Sequence, residues 1–397
     1  MNEKKKYSYM PALLLIIPFF LMIVFFVLLG ENLPNPVVPQ LATILVGILA
    51  TALLFPVFAG DRESEDTLKG RIGSIGIRYA IFAMAVTLVQ IATMVLLGIY
   101  APDVADALGA NLSFLLIILS VDVVGFTLLY HVSKNLSREQ IPQQKLGFGK
   151  FLLFVLMGAG LCGVGGIIGS LIHTALTISS GDTGTGIADL MLSSGMFMRI
   201  LTVGILAPIF EEMIFRKLLI DRLIKYGEFA AILTSGLMFG LFHGNFQQFF
   251  FATFLGCLWA FVYTRTGRIR YTIMMHMTVN ISTSAITVYL LGKLMEYLPA
   301  DMADTDAFAQ VMADNPQISF YILLCIGWVG ILCLCCLAGI IILIVFLASG
   351  RFRLRVKEGE PTKGQMLKTL LTDKYMWLFY LSCIGLFLIN YLPIFLQ

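Results

Sequence analysis

Long apolar segments alternate with short polar ones along the whole chain. A helix of about 20 apolar residues crosses a ~30 Å hydrocarbon layer and satisfies its own backbone hydrogen bonds there. The pattern therefore predicts an all-α fold, a polytopic transmembrane helical bundle of about eleven helices. These helices are predicted at about 10–30, 37–59, 79–100, 113–132, 151–178, 196–216, 229–244, 248–264, 271–292, 319–348 and 375–396.

Composition supports a membrane as the main solvent. The chain is 58% hydrophobic and 13% charged, whereas a soluble domain carries roughly a quarter charged residues. Its net charge of +3 is small and spread over several loops, so membrane lipids are expected partners and nucleic acid is not. The seven cysteines lie in apolar stretches without the spacing of a zinc site or a disulfide framework, and we interpret them as small buried hydrophobes.

Basic residues concentrate in every second loop, which predicts a cytoplasmic N-terminus. Lys4, Lys5 and Lys6 precede a first helix that we interpret as an uncleaved span. The chain is therefore expected to be an integral, multi-pass protein of the plasma membrane. The basic residues that give this orientation are Lys69, Arg71, Arg78, Lys134, Arg138, Lys145, Lys150, Arg216, Lys217, Arg222, Lys225, Arg265, Arg268, Arg270, Arg351, Arg353, Arg355 and Lys357.

The polar loops, at about 60–78, 133–150, 293–318 and 349–374, are too short to fold as separate domains. We divide the chain into N-terminal helices of unassigned role (1–195), a central segment (196–292), and an acidic outer loop with two helices (293–397). The predicted fifth helix is rich in glycine, which favours close approach of a neighbouring helix.

The central segment holds the densest set of polar residues. An ionisable group inside a membrane span is costly and needs a partner or a function. Glu212 and Arg216 are four residues apart, so they share a helix face and are predicted to pair as structural support. Glu211 lies about 100° around the helix from Glu212, which leaves it free to face the interior of the bundle.

Two imidazoles and an amide follow on later predicted helices. His276 and Asn280 again share a face at a spacing of four residues. Glu211 and His243 stand about 16 residues to either side of the turn at 226–227, so they are level across a helical hairpin. The sequence therefore predicts that Glu211, His243, His276 and Asn280 converge in one layer of the bundle.

Three short motifs carry these residues in order: Glu-Glu-x-x-x-Arg at 211–216, Phe-x-x-x-His at 239–243, and His-x-x-x-Asn at 276–280. This order resembles the CPBP family of intramembrane proteases. That family includes the type II CAAX prenyl endopeptidases and bacterial bacteriocin-processing or immunity proteins. The resemblance covers about a quarter of the chain and indicates that 196–292 is a protease core.

The resemblance implies an endopeptidase acting on a hydrophobic or membrane-tethered peptide, of prenylated CAAX type in one branch of the family. By resemblance, Glu211 is the base that activates water with the help of His243, while His276 and Asn280 stabilise the oxyanion. The residue types support this reaction independently of the resemblance, because a carboxylate beside an imidazole suits general base catalysis. A well-placed amide donor contributes roughly 3–4 kcal/mol to stabilising an oxyanion.

A zinc site is the competing mechanism. Glu211, His243 and His276 would supply three ligands and leave a fourth position for water. The chain lacks His-Glu-x-x-His, the commonest zinc-protease motif. We therefore assign no cofactor, with zinc as the alternative.

Two other functions use the same residues. A non-catalytic immunity or binding protein of the same family keeps the motifs, and a proton-coupled transporter uses carboxylates and imidazoles as a relay. No inverted repeat of the kind found in many transporters is evident in the sequence.

Other polar residues lie apart from the motifs. Asp122 is predicted in mid-span, where it would pair with Arg199 or line a water path in an accessory role. His131 and His173 are expected near span ends, and Asn390 is expected to donate a hydrogen bond between helices.

Overall fold

A computed structural model describes residues 10–29, 37–59, 66–178, 186–298, 305–356 and 358–396. These residues form helices joined by turns and short extended segments, and they include no β-strand. The helices are α1 (Met10–Leu29), α2 (Val37–Ala59), α3 (Leu68–Tyr100), α4 (Pro102–Leu108), α5 (Ala110–Ser133), α6 (Phe148–Thr177), α7 (Gly186–Ser193), α8 (196–223), α9 (Glu228–Phe242), α10 (Phe246–Thr266), α11 (269–295), α12 (Thr305–Asp314), α13 (Gln317–Ala348), α14 (Lys363–Thr372) and α15 (Met376–Leu396).

The predicted all-α membrane bundle is confirmed. In the described residues, seven helices are long and apolar enough to cross a membrane: α2, α3, α5, α6, α10, α13 and α15. The other predicted helices are also present, as α1, α8, α9 and α11. The cytoplasmic N-terminus and the three-segment division stay predictions, and Lys4, Lys5, Lys6 and Lys357 lie outside the described residues.

The prediction of a loop at 60–78 is wrong for its second half, because α3 begins at Leu68 and buries Arg71 and Arg78. Arg78 donates to the carbonyl of Val132 over 2.9 Å, and Arg71 donates to that of Ser137 over 3.0 Å. Carbonyls at a helix C-terminus have no partner within the helix and favour cations. Arg78 is therefore buried because it satisfies a carbonyl at the end of α5, and Arg71 satisfies a carbonyl of the segment that follows α5.

The predicted close approach at the glycine-rich helix, α6, is confirmed. A Cβ on Gly160 would lie 2.7 Å from the backbone nitrogen of Ile340 in α13. On another face, a Cβ on Gly165 would lie 2.5 Å from Cα of Phe251 in α10. Glycine thus allows α6 to pack backbone to backbone against two helices.

Basic loops that are distant in sequence meet at one end of the bundle. Arg265 forms an ion pair of 2.6 Å with Glu228, and the backbone nitrogen of Arg355 donates to the same carboxylate over 2.7 Å. Lys225 lies 3.5 Å from Asp66. We call this the basic end; it is formed by 66–78, 134–147, 217–228, 265–270, 351–356 and 358–360.

A segment without regular secondary structure, 138–147, crosses the basic end, and we call it the strap. Its backbone nitrogens at Glu139 and Gln144 donate to the carbonyls of Asp221 and Thr266, over 2.7 and 2.8 Å. Gly267, with φ of +59°, ends α10, and a Cβ there would lie 2.5 Å from the carbonyl oxygen of Ile141. The strap thus fits closely over the turn that leads into α11.

Candidate active site

Helix α8 departs from regular geometry on both sides of its two glutamates. π-Helical turns at Ile200–Leu206 and Met213–Leu218 flank a short α-helical stretch, Ala207–Glu212. Turns of this kind are rare and occur frequently at functional sites. They leave backbone carbonyls open to partners from neighbouring helices, and one of these carbonyls is used in the site.

Glu212 and Arg216 form a fully buried ion pair. Nη2 of Arg216 lies 3.1 Å from Oε1 of Glu212, and both side chains are 0% exposed. Arg216 also donates to the hydroxyl of Ser235 over 3.1 Å, and its guanidinium lies over the ring of Phe239, 4.7 Å from the centroid. These contacts offset the cost of removing both charges from water.

His276, on α11, lies between the two glutamates. Its Nδ1 is 3.2 Å from Oε1 of Glu212, and its Nε2 is 3.6 Å from Oε2 of Glu211. A hydrogen bond from Nδ1–H to Glu212 fixes the ring so that Nε2 faces Glu211. Arg216, Glu212, His276 and Glu211 thus form a continuous series, which we call the carboxylate–imidazole chain.

Glu211 ends this chain on its accessible side. Its side chain is 19% exposed, compared with 5% for His276 and 0% for Glu212. The distance of 3.6 Å to His276 is too long for a direct hydrogen bond. The Glu211 carboxylate is therefore partly accessible to water and lies near an imidazole. A general base that activates a water molecule requires both features.

His243 lies at the C-terminal cap of α9, just after the helix rather than within it. Its Nδ1–H donates to the carbonyl of Phe239 over 2.8 Å, so Nε2 is the nitrogen left to accept a hydrogen bond. The edge of Phe239 contacts both imidazoles, with centroids 4.9 Å from His243 and 5.8 Å from His276. No hydrogen bond or ion pair joins His243 to Glu211 within the described ranges.

Asn280 fastens α11 to α8. Its side-chain nitrogen donates to the carbonyl of Val203 over 2.8 Å, within the first π-helical turn of α8. An amide group has two N–H bonds, so one remains for another acceptor. Asn280 is thus adjacent to the glutamate-bearing helix through a contact that the sequence does not predict.

Comparison with known proteins identifies the same segment. Residues 193–282 match the model of a family described as type II CAAX prenyl endopeptidase Rce1-like. The resemblance to the CPBP family is confirmed for this segment. A Bacillus subtilis (strain 168) protein named "Putative membrane peptidase YdiL" is 34% identical over 116 residues, which are 29% of this chain and 47% of that protein. The chain thus spans about half the length of this curated relative. No solved structure matches the chain.

The zinc alternative, with Glu211, His243 and His276 as ligands, stays a prediction. Among the residues that the structure describes, no three His, Cys, Asp or Glu side chains are grouped so that they could hold a metal ion. Nδ1 of His276 is bonded to Glu212 and Nδ1 of His243 to a carbonyl, so Nε2 is the nitrogen that each ring has left for another partner. The following mechanism therefore uses only side chains of this chain.

The sequence does not predict which aromatic side chains line the CPBP-like site. Trp259 of α10 stacks on His276 with centroids 4.4 Å apart and planes at 30°. It also lies near the guanidinium of Arg216, at 5.8 Å. In the sequence, Trp259 is one aromatic residue among many in an apolar helix, and no motif distinguishes it from core packing.

Asp122 does not pair with Arg199. Arg199 donates to the carbonyls of Met191 and Ser194, each at a distance of 2.5 Å. Asp122 lies in a π-helical turn of α5, is 4% exposed, and has one carboxylate oxygen without a hydrogen-bond partner. Asp122 therefore remains a polar group near the CPBP-like site without an assigned role.

Proposed function

We propose that this chain is an intramembrane endopeptidase in which Glu211 activates water. The observation that carries the proposal is the carboxylate–imidazole chain. Its buried ion pair of Glu212 and Arg216 holds His276 against Glu211, the more accessible carboxylate. Fixed orientation of a base and its neighbour is a general requirement of proton-transfer catalysis.

In the proposed reaction, the Glu211 carboxylate takes a proton from a water molecule that Nε2 of His243 helps to orient. The water oxygen attacks the peptide carbonyl carbon, and the carbonyl oxygen becomes an oxyanion. We assign stabilisation of this oxyanion to the remaining N–H of Asn280 and to His276 as an imidazolium, in which Nε2 also carries a proton. Collapse of the intermediate breaks the C–N bond, and Glu211 returns its proton to the leaving amine.

The proposed substrate is a hydrophobic or membrane-tethered peptide, in the plasma membrane. The apolar helices around the segment support this class, since a substrate must reach the site from within or beside the membrane. The matched family is described as a type II CAAX prenyl endopeptidase, so a prenylated CAAX-type peptide is one candidate within the class.

The test compares membrane peptides from cells that express the native chain, Glu211→Gln, or the control Glu296→Gln. Glu296 is a half-exposed carboxylate that pairs with Lys293 on the surface, so the control makes the same chemical change away from the site. We expect cleaved products from the native chain and the control, with or without a chelator, and none from Glu211→Gln. Undiminished products from folded Glu211→Gln would refute the proposal, and loss of products with the chelator alone would favour zinc.

A further inference from the structure

Two adjoining cavities open at the basic end, beneath the strap. Their volumes are about 320 and 530 Å³. Gln143, Lys217 and Gly267 line both, so the cavities share a wall. They lie at the ends of α8 and α11, the helices that carry Glu211 and His276.

The charges around these cavities do not cancel. Lys217 lies 2.7 Å from Asp221, which also accepts a hydrogen bond from Tyr263 over 2.7 Å, so the one acidic side chain in the lining is already paired. Three further lining residues are cations: Arg138, Arg268 and Arg270. None of these three has an acidic partner within the described part of the chain.

Arg268 and Arg270 differ in their surroundings. Nε of Arg268 is buried and has no hydrogen-bond partner in the described residues. Arg270 is exposed, with its guanidinium 5.1 Å from the ring centroid of Tyr271. Planar guanidinium groups in this arrangement suit the oxygens of a phosphate group.

An exposed stripe on α11 leads from the cavities into the membrane region. Arg270, Met274 and Thr278 are spaced four residues apart and are all exposed, so they lie along one side of the helix. Thr278 in turn lines an apolar groove of about 710 Å³ between α6, α11 and α13. Arg270 and Thr278 are separated by about 12 Å along the helix axis, which is well within the reach of an acyl chain.

We propose that this surface binds one anionic phospholipid. Its phosphate group lies among Arg138, Arg268 and Arg270, and one acyl chain follows the stripe past Met274 into the groove. Basic pockets between helices at the cytoplasmic side of a membrane suit such headgroups. The combination of a cationic cavity with an apolar groove favours a lipid over a soluble anion, which would use the cavity alone.

The test uses the purified full-length chain in uncharged detergent, with bound lipid measured by native mass spectrometry. The probes are dioleoylphosphatidylglycerol, dioleoylphosphatidylcholine, dihexanoylphosphatidylglycerol and inorganic phosphate. The headgroup variant is Arg268→Gln with Arg270→Gln, and its control, Lys363→Gln with Lys368→Gln, removes the same charge on α14. We expect the headgroup variant to bind dioleoylphosphatidylglycerol about 10- to 30-fold more weakly, and the control to bind it normally.

The groove is tested with Gly166→Leu. Gly166 lines the groove, and a Cβ there meets no atom within 4 Å, so the position has room for a side chain that would occupy part of the groove. Gly98→Leu, at another open position on α3, is the control. We expect Gly166→Leu alone to reduce the preference for the dioleoyl over the dihexanoyl lipid.

Equal binding of phosphatidylglycerol and phosphatidylcholine would overturn the proposal, as would full binding by the headgroup variant. Displacement of the lipid by equimolar inorganic phosphate would indicate a soluble anion instead. Displacement by an equimolar apolar heptapeptide with a free C-terminal carboxylate would show that the cavity is a peptide site. Because binding is measured without cleavage, the result does not depend on the proposed endopeptidase activity.

Discussion

The indole of Trp259 stacks on the imidazole of His276, with ring centroids 4.4 Å apart. This contact holds the face of the imidazole while Glu212 holds its edge through Nδ1. Two independent contacts therefore fix the ring plane and its rotation. The position of Nε2 opposite Glu211 depends on both.

We predict that Trp259→Leu lowers kcat by about tenfold or more, because misplacement of a catalytic group by a small distance is costly. Trp259→Phe keeps an aromatic face and should retain most of the activity. Cleavage of a substrate identified from the membrane peptides measures both variants. Equal activity of the Leu and Phe variants would mean that stacking does not position His276.

The buried pair predicts a non-additive loss of stability. Glu212→Gln leaves the Arg216 charge buried without its carboxylate, and we expect a loss of about 3–5 kcal/mol in the free energy of unfolding. Adding Arg216→Met should restore part of this loss, because the second change removes the unpaired charge. Unfolding in mixed detergent measures each variant and the double variant.

The surface pair of Lys293 and Glu296 is the control for this cycle. Its nitrogen and oxygen are 2.9 Å apart, but both side chains are substantially exposed. Surface pairs contribute about 0–1 kcal/mol, so Glu296→Gln should change stability little. Strictly additive losses at Glu212 and Arg216 would contradict the proposed role of their pairing.

Asn280 has a structural contact and a proposed catalytic one, and Asn280→Ala removes both. Loss of the hydrogen bond to Val203 should cost about 1 kcal/mol of stability. Loss of an oxyanion donor should lower kcat by about 10²–10³-fold with little change in KM. A variant with the stability loss and unchanged kcat would assign Asn280 to helix packing alone.

Gly267→Ala should release the strap. The positive φ at Gly267 disfavours a side chain, and the new Cβ would press on the carbonyl of Ile141. We expect a stability loss of about 1–3 kcal/mol and faster hydrogen exchange at Glu139 and Gln144, whose amides anchor the strap.

Gly364→Ala, at an open position in α14, is the matched control. Alanine is preferred over glycine in a helix by up to about 1 kcal/mol, so this change should be neutral or stabilising. Unchanged exchange in the strap of Gly267→Ala would show that the turn does not hold it.

The sequence predicts the helices because the length of an apolar segment indicates whether it can cross a membrane as a helix. The spacing of Glu212 and Arg216 likewise predicts their contact, since both lie on one helix. Spacing along separate helices is less informative. It places Glu211, His243 and His276 at one depth, but it does not show that His276 contacts both glutamates while His243 bonds to a carbonyl.

Two kinds of feature escape sequence reasoning. Trp259 resembles any aromatic residue of an apolar helix until a neighbouring imidazole is placed beside it. Arg71 and Arg78 resemble loop cations, because a charge in an apolar context is ordinarily expected in water. Their burial follows from carbonyls at the end of α5 and in the segment just after it, a tertiary relationship without a local signal. Asn390 donates to the carbonyl of Gly244, so its predicted hydrogen bond outside its own helix is present, but it reaches the turn between α9 and α10 rather than another helix.

Arg78 and Arg222, which bond to carbonyls at the end of α5, are also among the basic residues from which the orientation of the chain is predicted. During insertion, a positive charge beside a nascent span helps to decide which side of the membrane it stays on. After folding, Arg78 and Arg222 are bonded to the carbonyls of Val132 and Ser133. We therefore expect a change of either residue to glutamine to weaken both insertion in the predicted orientation and the seam between α3, α5 and α8, so that defects appear before the mature fold exists.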